Sequence, residues 1–267
     1  MVVFYQPIVE LPSRSIVRAE ALCRFPETAG LKTPADYIKY AEDQGLVRGL
    51  TDLVLAQSLG FWRRLGSAAP AKLAINLSPK NLLEVDLGER IFTALAKTGV
   101  EASRLVIEVD ERILSAHDDV SRANIRKLVD AGISFSMDGF GPSLSPVIHL
   151  QLTTLPLTEL KVDRDLLLDL DNDAERRSKL RTIVDVAETC GLELAAKGVE
   201  DEATLGAVTR MGFSRMQGYH IAPPMGEPEF EAWLERQRPA VVAPEQKIQK
   251  SYGLRSSISG WFKSFST

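Results

Sequence analysis

Eight short segments of the chain have the pattern of β-strands, because apolar, β-branched or aromatic residues cluster there between turn-forming residues. The segments are 3–9, 15–24, 72–78, 104–109, 132–138, 158–162, 192–197 and 215–221. Between them, apolar residues recur at helical spacing. Residues 34–65 predict two helices, and residues 117–131, 174–190, 201–211 and 227–238 predict four more. Asp201 and Ser121 are predicted helix starts.

Strands and helices alternate along the chain, which predicts a mainly parallel sheet. A length of 267 residues suits an α/β fold with eight strands, a (β/α)8 TIM-like barrel. Only the short stretch ELPSRS separates the first two strands. This spacing is typical of a hairpin and predicts one antiparallel strand in the barrel.

Seven polar residues lie at or near the C-terminal ends of the predicted strands. They are Glu20, Asn76, Glu108, Asp138, Lys161, Lys197 and Gln217. In a barrel these strand ends converge at one mouth, where such folds hold their chemistry. In an open doubly wound sheet the same residues would be spread along an edge. Polar residues at so many strand ends therefore lead us to predict the barrel.

Three of these residues are acids, and the amide oxygen of Asn76 adds a fourth hard ligand. Oxygen ligands of this kind suit Mg²⁺ or Mn²⁺. Considered alone, an acid such as Glu20, Glu108 or Asp138 usually lies at the surface or caps a helix. Taken together, they predict a metal-binding site or another positive charge among them, since converging carboxylates repel each other.

Two positively charged side chains could contribute to this site. Lys161 could activate water or neutralise a phosphate, or it could form an ion pair at the barrel mouth. Arg24 could bind a phosphate bidentately or form a structural ion pair. The three histidines are scattered, which argues against a histidine-based metal site or triad; they are His117, His149 and His220.

Composition narrows the class of protein. The chain is 45% hydrophobic and 25% charged, which is typical of a globular protein. A formal charge of −4 and a pI of about 5.6 argue against a nucleic-acid-binding protein but allow a small phosphorylated ligand. Cys23 and Cys190 lack metal-binding spacing, as expected of free thiols in a reducing compartment. No apolar run approaches the ~20 residues that a membrane span needs, and no signal peptide is found, which predicts a cytoplasmic location and leaves open a preceding membrane or sensor segment.

The pattern changes near the C-terminus. Residues 1–238 are predicted to form the barrel domain, and residues 239–267 form a Ser-rich tail that is basic from Lys247 onward. The tail could contact a partner or a membrane through Trp261, Phe262 and Phe265. Alternatively, it packs on its own barrel or is disordered.

A series of short motifs runs along the chain. YQPIVEL is followed by RAEALCRF, which contains Glu-Ala-Leu at residues 20–22. Further motifs follow in order: TPADYIKYAEDQGL, INLSPKNL, LVIEVDERIL, LKVDRDLL, GVEDEATL and MQGYHIAPPM. With this ordered series the sequence resembles the EAL domain family, bacterial phosphodiesterases of cyclic di-GMP, over about residues 3–235.

The resemblance implies an α/β barrel with one antiparallel strand and metal-assisted opening of one phosphodiester. The implied metal ligands are Glu20, Asn76, Glu108 and Asp138. Lys161 corresponds to the lysine of water activation, Glu111 to the acid that steadies the loop after the fifth strand, and Gln217 to a glutamine near the active site. The implied ligand-binding positions are Gln6, Glu20, Leu22, Arg24, Asn76, Asp138, Lys161, Asp163, Lys197, Glu200, Gln217 and Pro224.

Two departures from the family pattern fall on this chemistry. Gly139 stands where the family has the second aspartate of D-D-F-G, and Lys197 stands where it has the glutamate of A-E-G-V-E. Pro142, Leu144 and Pro146 alter the following loop, and Pro224 stands where the family often has arginine.

Because a two-metal mechanism needs both ions, the departures predict a degenerate, catalytically inactive EAL domain in which Lys161 is vestigial. We expect Lys197 to lie among Glu20, Glu108 and Asp138 in place of a metal. The predicted role is that of a cyclic di-GMP receptor or protein-interaction module that requires no metal. The alternatives are a weak phosphodiesterase that uses Mg²⁺ or Mn²⁺, and a ligand-free scaffold. A protein partner is expected, and a homodimer is left open.

Overall fold

The eight predicted strands close into one barrel. The computed structural model describes residues 1–25, 33–115, 118–140, 152–168, 170 and 173–237. The strands are β1 (Val2–Glu10), β2 (Ile16–Arg24), β3 (Lys72–Asn76), β4 (Leu105–Asp110), β5 (Ser134–Phe140), β6 (Leu157–Val162), β7 (Glu193–Lys197) and β8 (Arg215–Gln217). They follow one another around the barrel in chain order. The prediction of an α/β barrel is confirmed.

The prediction of one antiparallel strand is also confirmed. β1 pairs antiparallel with β2 on one side and with β8 on the other. The remaining neighbours, from β2 to β8, pair in parallel. The C-terminal ends of β2 to β8 therefore share one mouth, and this brings their polar residues together.

Helices surround the barrel. Those of the described residues are α1 (Pro34–Asp43), α2 (Val47–Leu65), α3 (Pro79–Leu82), α4 (Leu87–Thr98), α5 (Asp119–Asp130), α6 (Arg164–Leu167), α7 (Ala174–Cys190), α8 (Glu202–Arg210) and α9 (Glu227–Gln237). Helices α3, α4 and α6 were not predicted from the sequence. For α4 a signal was present, because Leu87, Ile91 and Leu95 lie four residues apart and all three are buried.

One predicted helix start is confirmed and the other is wrong. The side chain of Asp201 accepts a hydrogen bond from the backbone N–H of Thr204 and so caps α8. Ser121 lies inside the first turn of α5. The cap of that helix is Asp118, whose carboxylate accepts the Ser121 backbone N–H at 2.8 Å.

The predicted eighth strand, 215–221, ends earlier than expected. β8 stops at Gln217, and a turn follows in which the backbone N–H groups of Ile221 and Ala222 bind the carbonyl oxygen of Gly218. A Cβ at Gly218 would lie 2.0 Å from the carbonyl oxygen of Val199, so only glycine allows this close backbone approach. The approach positions Gln217 at the barrel mouth.

The apolar core lies between the strands and the helices. Its largest fully buried members include Trp62, Tyr5, Phe61, Phe135 and Phe230. No helix of the described residues is both long enough and apolar enough to span a bilayer. The predicted tail, 239–267, lies outside the described residues.

Candidate active site and ligand cavity

Three carboxylates meet at the barrel mouth. Glu20 on β2, Glu108 on β4 and Asp138 on β5 each offer one oxygen, and these oxygens lie within 4.8 Å of one another. Glu20 and Glu108 are buried, and Asp138 is partly exposed. β3 lies between β2 and β4, and the strand ends face the common mouth of the barrel.

Lys161 lies beneath this acidic cluster. Its ammonium donates to Glu20 at 2.9 Å and to Glu108 at 2.6 Å, and it lies 3.9 Å from Asp138. The Lys161 side chain is 1% exposed. A buried ammonium in this position neutralises part of the charge of the acids.

Lys197 contacts only one of the three acids. Its ammonium donates to both oxygens of Asp138, at 2.9 and 2.7 Å. The sequence analysis expected Lys197 among all three carboxylates. The structure differs because Lys161, which is buried deeper on β6, already occupies the space between Glu20 and Glu108.

The pKa values of the two glutamates shift in opposite directions. Burial would raise the pKa of Glu20, but the positive charges of Lys161 and Lys197 and the hydrogen bond from Asn76 hold it well below its usual range. Burial, and then repulsion by Glu20, raise the pKa of Glu108 to about 8. The two acids therefore titrate as a coupled pair, in which Glu20 is the stronger acid.

Both ammonium groups keep their charge. Burial would lower the pKa of Lys161, but Glu108 and Glu20 raise it above its usual value. Burial and the neighbouring Lys161 would lower the pKa of Lys197, but Glu20 and Asp138 raise it overall.

Amide side chains orient Glu20. Asn76 donates to one Glu20 oxygen at 2.8 Å, and Gln217 donates to the other at 2.8 Å. Gln217 also donates to Gln6 at 3.0 Å, and Gln6 donates to the carbonyl oxygen of Ala222 at 3.1 Å. This chain of hydrogen bonds ties the acid to β1, β3 and β8.

The donor atoms of the cluster decide whether it can bind a divalent cation. Glu20, Glu108 and Asp138 are acids of the type that Mg²⁺ and Mn²⁺ prefer. However, a hydrogen bond from a side chain already occupies both oxygens of Glu20, both of Asp138 and one of Glu108. Of the six oxygens of these three acids, only Oε1 of Glu108 has no hydrogen-bond partner among the described residues. A divalent ion bound to Asp138 would compete with the ammonium of Lys197, and position 139 offers no acid, so the donor set does not fit a pair of metal ions.

Gly139 occupies a special backbone position beside Asp138. β5 has a register shift between Met137 and Phe140, and Gly139 has a φ of 71°. A Cβ here would also lie 3.2 Å from Oδ2 of Asp163. Glycine adopts this left-handed conformation without steric cost, so the residue that removes the second acid also suits the bulge.

A cavity of about 870 Å³ opens above the acidic cluster. Its lining includes the predicted residues Glu20, Leu22, Arg24, Asn76, Asp138 and Lys197. Helices α1 and α2 contribute apolar residues such as Ile38, Leu50 and Val54. A cavity of this size, with convergent polar groups on one wall, suits a small-molecule ligand.

The other predicted residues lie elsewhere. Gln6, Lys161 and Gln217 are buried beneath the cavity. The described residues that line it do not include Asp163, Glu200 or Pro224. Burial raises the pKa of the half-buried Asp163.

Glu200 and Glu111 are not among the described residues that line the cavity. Glu200 forms an ion pair with Arg164 outside the cavity. Glu111 begins a short 3₁₀ segment, Glu111–Ser115, after β4. The loop that it was expected to steady lies in residues 141–151, outside the described residues, so its role stays a prediction.

A polar cluster on the cavity wall was missed by the sequence analysis. Arg112 donates to both oxygens of Glu42, at 2.9 and 3.0 Å, and also binds Asp110. Ser78 donates to Glu42 at 2.6 Å, and Lys80 donates to its carbonyl oxygen at 2.7 Å. The cluster ties α1 to the ends of β3 and β4. Glu42 lies within the quoted stretch TPADYIKYAEDQGL, which was the available signal.

The chain is similar to known proteins in sequence and in fold. Residues 1–224 match the EAL domain family. The chain is 31% identical over 229 residues to the bifunctional diguanylate cyclase/cyclic di-GMP phosphodiesterase MucR of Pseudomonas aeruginosa, covering 84% of this chain and 33% of that protein. It is also 31% identical over 234 residues to the probable cyclic di-GMP phosphodiesterase PdeI of Escherichia coli, covering 86% and 29%. The chain thus spans about a third of the length of these relatives.

A solved structure supports the same assignment. The MucR phosphodiesterase in complex with cyclic di-GMP superposes with a TM-score of 0.77 at 31% identity, covering 86% of this chain and 93% of that one. Phosphodiesterases of this family depend on Mg²⁺ or Mn²⁺. The family match, the closed barrel and the carboxylate cluster at its mouth agree, and the chain belongs to the EAL domain family.

Proposed function

We propose that this EAL domain is a cyclic di-GMP receptor that does not hydrolyse the dinucleotide at a useful rate. The observation that supports this most directly is the ammonium of Lys197 bound to both oxygens of Asp138. It occupies an acid that the family resemblance assigns to metal binding. In this proposal a protein partner in the cytoplasm recognises the domain with its bound ligand, because without hydrolysis no reaction product transmits the signal.

The added positive charge of Lys197 and the missing metal ligand at Gly139 explain the loss of catalysis in this proposal. Two-metal hydrolysis relies on both ions to stabilise the attacking and leaving oxygens. Gly139 provides no ligand, and Lys197 adds a positive charge where a cation would bind. Both changes act against metal binding, and neither requires the cavity to collapse.

Retention of binding is supported by the cavity. Leu22 and Arg24 line it beside the acidic cluster, and the apolar faces of α1 and α2 form the opposite wall. Arg24 donates to the carbonyl oxygen of Cys23 at 2.9 Å and lies 5.6 Å from the centre of the Phe4 ring. An arginine held in this way keeps further donors for a phosphate.

Calorimetric titration with cyclic di-GMP and a turnover assay with Mg²⁺ or Mn²⁺ test the proposal together. We expect binding without measurable conversion to the linear dinucleotide. The absence of binding would show a ligand-free scaffold instead, and steady turnover would show a phosphodiesterase.

Reversion of the two departures tests the cause of inactivity. The variant Lys197→Glu with Gly139→Asp is expected to gain metal-dependent turnover. Lys197→Glu alone is the matched control, because a side chain at position 139 must adopt a φ of 71° beside Asp163. If neither variant gains activity, the two substitutions do not account for the inactivity.

A weak single-metal phosphodiesterase is the second candidate. It is favoured by Oε1 of Glu108, a buried carboxylate oxygen without a partner among the described residues. Such an enzyme would use Mg²⁺ or Mn²⁺, and its turnover would be abolished by EDTA, whereas receptor binding would persist.

A further inference from the structure

We propose that Lys197 is the phosphate-binding cation of this site. Its ammonium, held by Asp138 at the floor of the cavity, contacts a phosphodiester oxygen of the bound cyclic dinucleotide in place of a metal ion. This inference rests on the proposed receptor function and adds to it the residue that replaces the metal and the metal independence of binding.

Exposure distinguishes Lys197 from the lysine beneath it. The Lys197 side chain lines the cavity and is 33% exposed, whereas Lys161 is 1% exposed and does not belong to the lining. Both lysines lie at the same acidic cluster. A ligand that enters the cavity therefore meets the ammonium of Lys197 and not that of Lys161.

The hydrogen-bond donors of the Lys197 ammonium support the same assignment. An ammonium group has three donors. Lys197 directs two of them to Asp138, at 2.9 and 2.7 Å, and no described residue accepts the third. Because the side chain lines the cavity, a ligand bound there can accept this donor. Asp138 also fixes the position of the ammonium, so binding requires little further ordering of this long side chain.

The charge balance allows an anion to approach. Three carboxylates alone would repel a phosphodiester, but Lys161 and Lys197 supply two positive charges. A metal ion gives the same neutralisation in an EAL phosphodiesterase. Here the neutralising charges are covalently part of the chain, so we expect chelators to leave the affinity unchanged.

The experiment is calorimetric titration of the full chain with cyclic di-GMP, in EDTA and in Mg²⁺. Wild type is expected to bind equally well in both buffers. Lys197→Met is expected to weaken binding by at least about tenfold, the usual loss when a hydrogen bond to a charged group is removed. Lys197→Arg keeps the charge and should bind more tightly than Lys197→Met.

Lys39→Met is the matched control. Lys39 is an exposed lysine that lines the same cavity on α1, so its removal changes the overall charge equally. We expect a loss of less than about threefold, because exposed charges are screened. Equal losses for Lys39→Met and Lys197→Met would overturn the inference, since the effect would then be one of general charge.

Two further outcomes separate this inference from the proposed function. If wild type binds but Lys197→Met binds as well, or if binding requires Mg²⁺, only the inference fails. If wild type binds in neither buffer, the receptor function fails and the inference fails with it. Should Lys197→Met not fold, Asp138→Asn with Lys197→Met removes both charges together and is titrated in its place.

Discussion

Glu159 forms a second buried ion cluster, below the acidic site. It lies on β6, two residues before Lys161, so both side chains belong to the same face of the strand. Glu159 accepts from Arg18 at 2.7 Å, from Arg215 at 2.8 Å and from Ser136 at 2.7 Å. The barrel interior therefore holds two polar layers, and the sequence analysis identified only the upper one.

We predict that Glu159→Gln lowers the free energy of unfolding by about 3–5 kcal/mol, because Arg18 loses a buried charged partner. The measurement is urea denaturation near pH 7. Glu202→Gln is the control, since its pair with Arg14 is exposed on both sides and is expected to be worth about 0–1 kcal/mol. Equal costs for the two variants would contradict a special role of the buried cluster.

The same residue predicts a pH dependence. Burial would raise the pKa of Glu159, but Arg18, Ser136 and Arg215 lower it below its ordinary value. Its stabilisation is therefore complete above the unfolded pKa of about 4.3 and is lost as the pH falls through the lower folded value. We expect the stability difference between wild type and Glu159→Gln to narrow below about pH 4. A constant difference would contradict the assignment.

At the scale of elements, two glycines have opposite roles. Gly60 lies inside α2 with helical backbone, and a Cβ there would meet no atom within 4 Å. Gly139 lies in the bulge of β5 with a φ of 71° and Asp163 nearby. The same substitution should therefore have opposite effects at the two positions.

We predict that Gly60→Ala raises the free energy of unfolding by about 0.5–1 kcal/mol, because alanine restricts the unfolded chain and favours helix. Gly139→Ala is expected to lower it by about 1–2 kcal/mol, the cost of a left-handed alanine. Thermal and urea unfolding of both variants test this pair. Stabilisation by Gly139→Ala would show that the bulge does not need glycine.

At the scale of the whole molecule, the barrel and the tail are proposed to be separate parts. All eight strands lie within residues 2–217, and the last described helix ends at Gln237. The EAL domain match ends at residue 224. Among the described residues, the pairing of β1 with β8 closes the barrel.

We predict that a chain ending at residue 238 keeps its midpoint of thermal unfolding within about 2 °C of the full chain, because all eight described strands lie before that residue. The truncated chain should also bind cyclic di-GMP with unchanged affinity. A clear drop of the midpoint would mean that the tail packs on the barrel, and a loss of affinity alone would mean that it contributes to the cavity.

Much of the fold was predictable because its determinants are local. All eight strands and the first hairpin follow from short apolar runs and the spacing between them, and α7 was predicted with its observed bounds. Local signals also produced the errors. Ser121 has the chemistry of a cap, but Asp118 three residues earlier takes that role, and Gly218 ends β8 through a contact with Val199 on another segment.

The sequence by itself determined the eight strands and the barrel fold, the charged residues at the strand ends, and the two substitutions, Gly139 and Lys197, that separate this chain from the family pattern. Only the tertiary structure decided how the charges pair. Lys161 lies with Glu20 and Glu108, and Lys197 lies with Asp138. These pairs join strands that are 53 to 141 residues apart in the chain. Their pairing depends on the register and depth of each strand in the closed barrel, which no local pattern specifies.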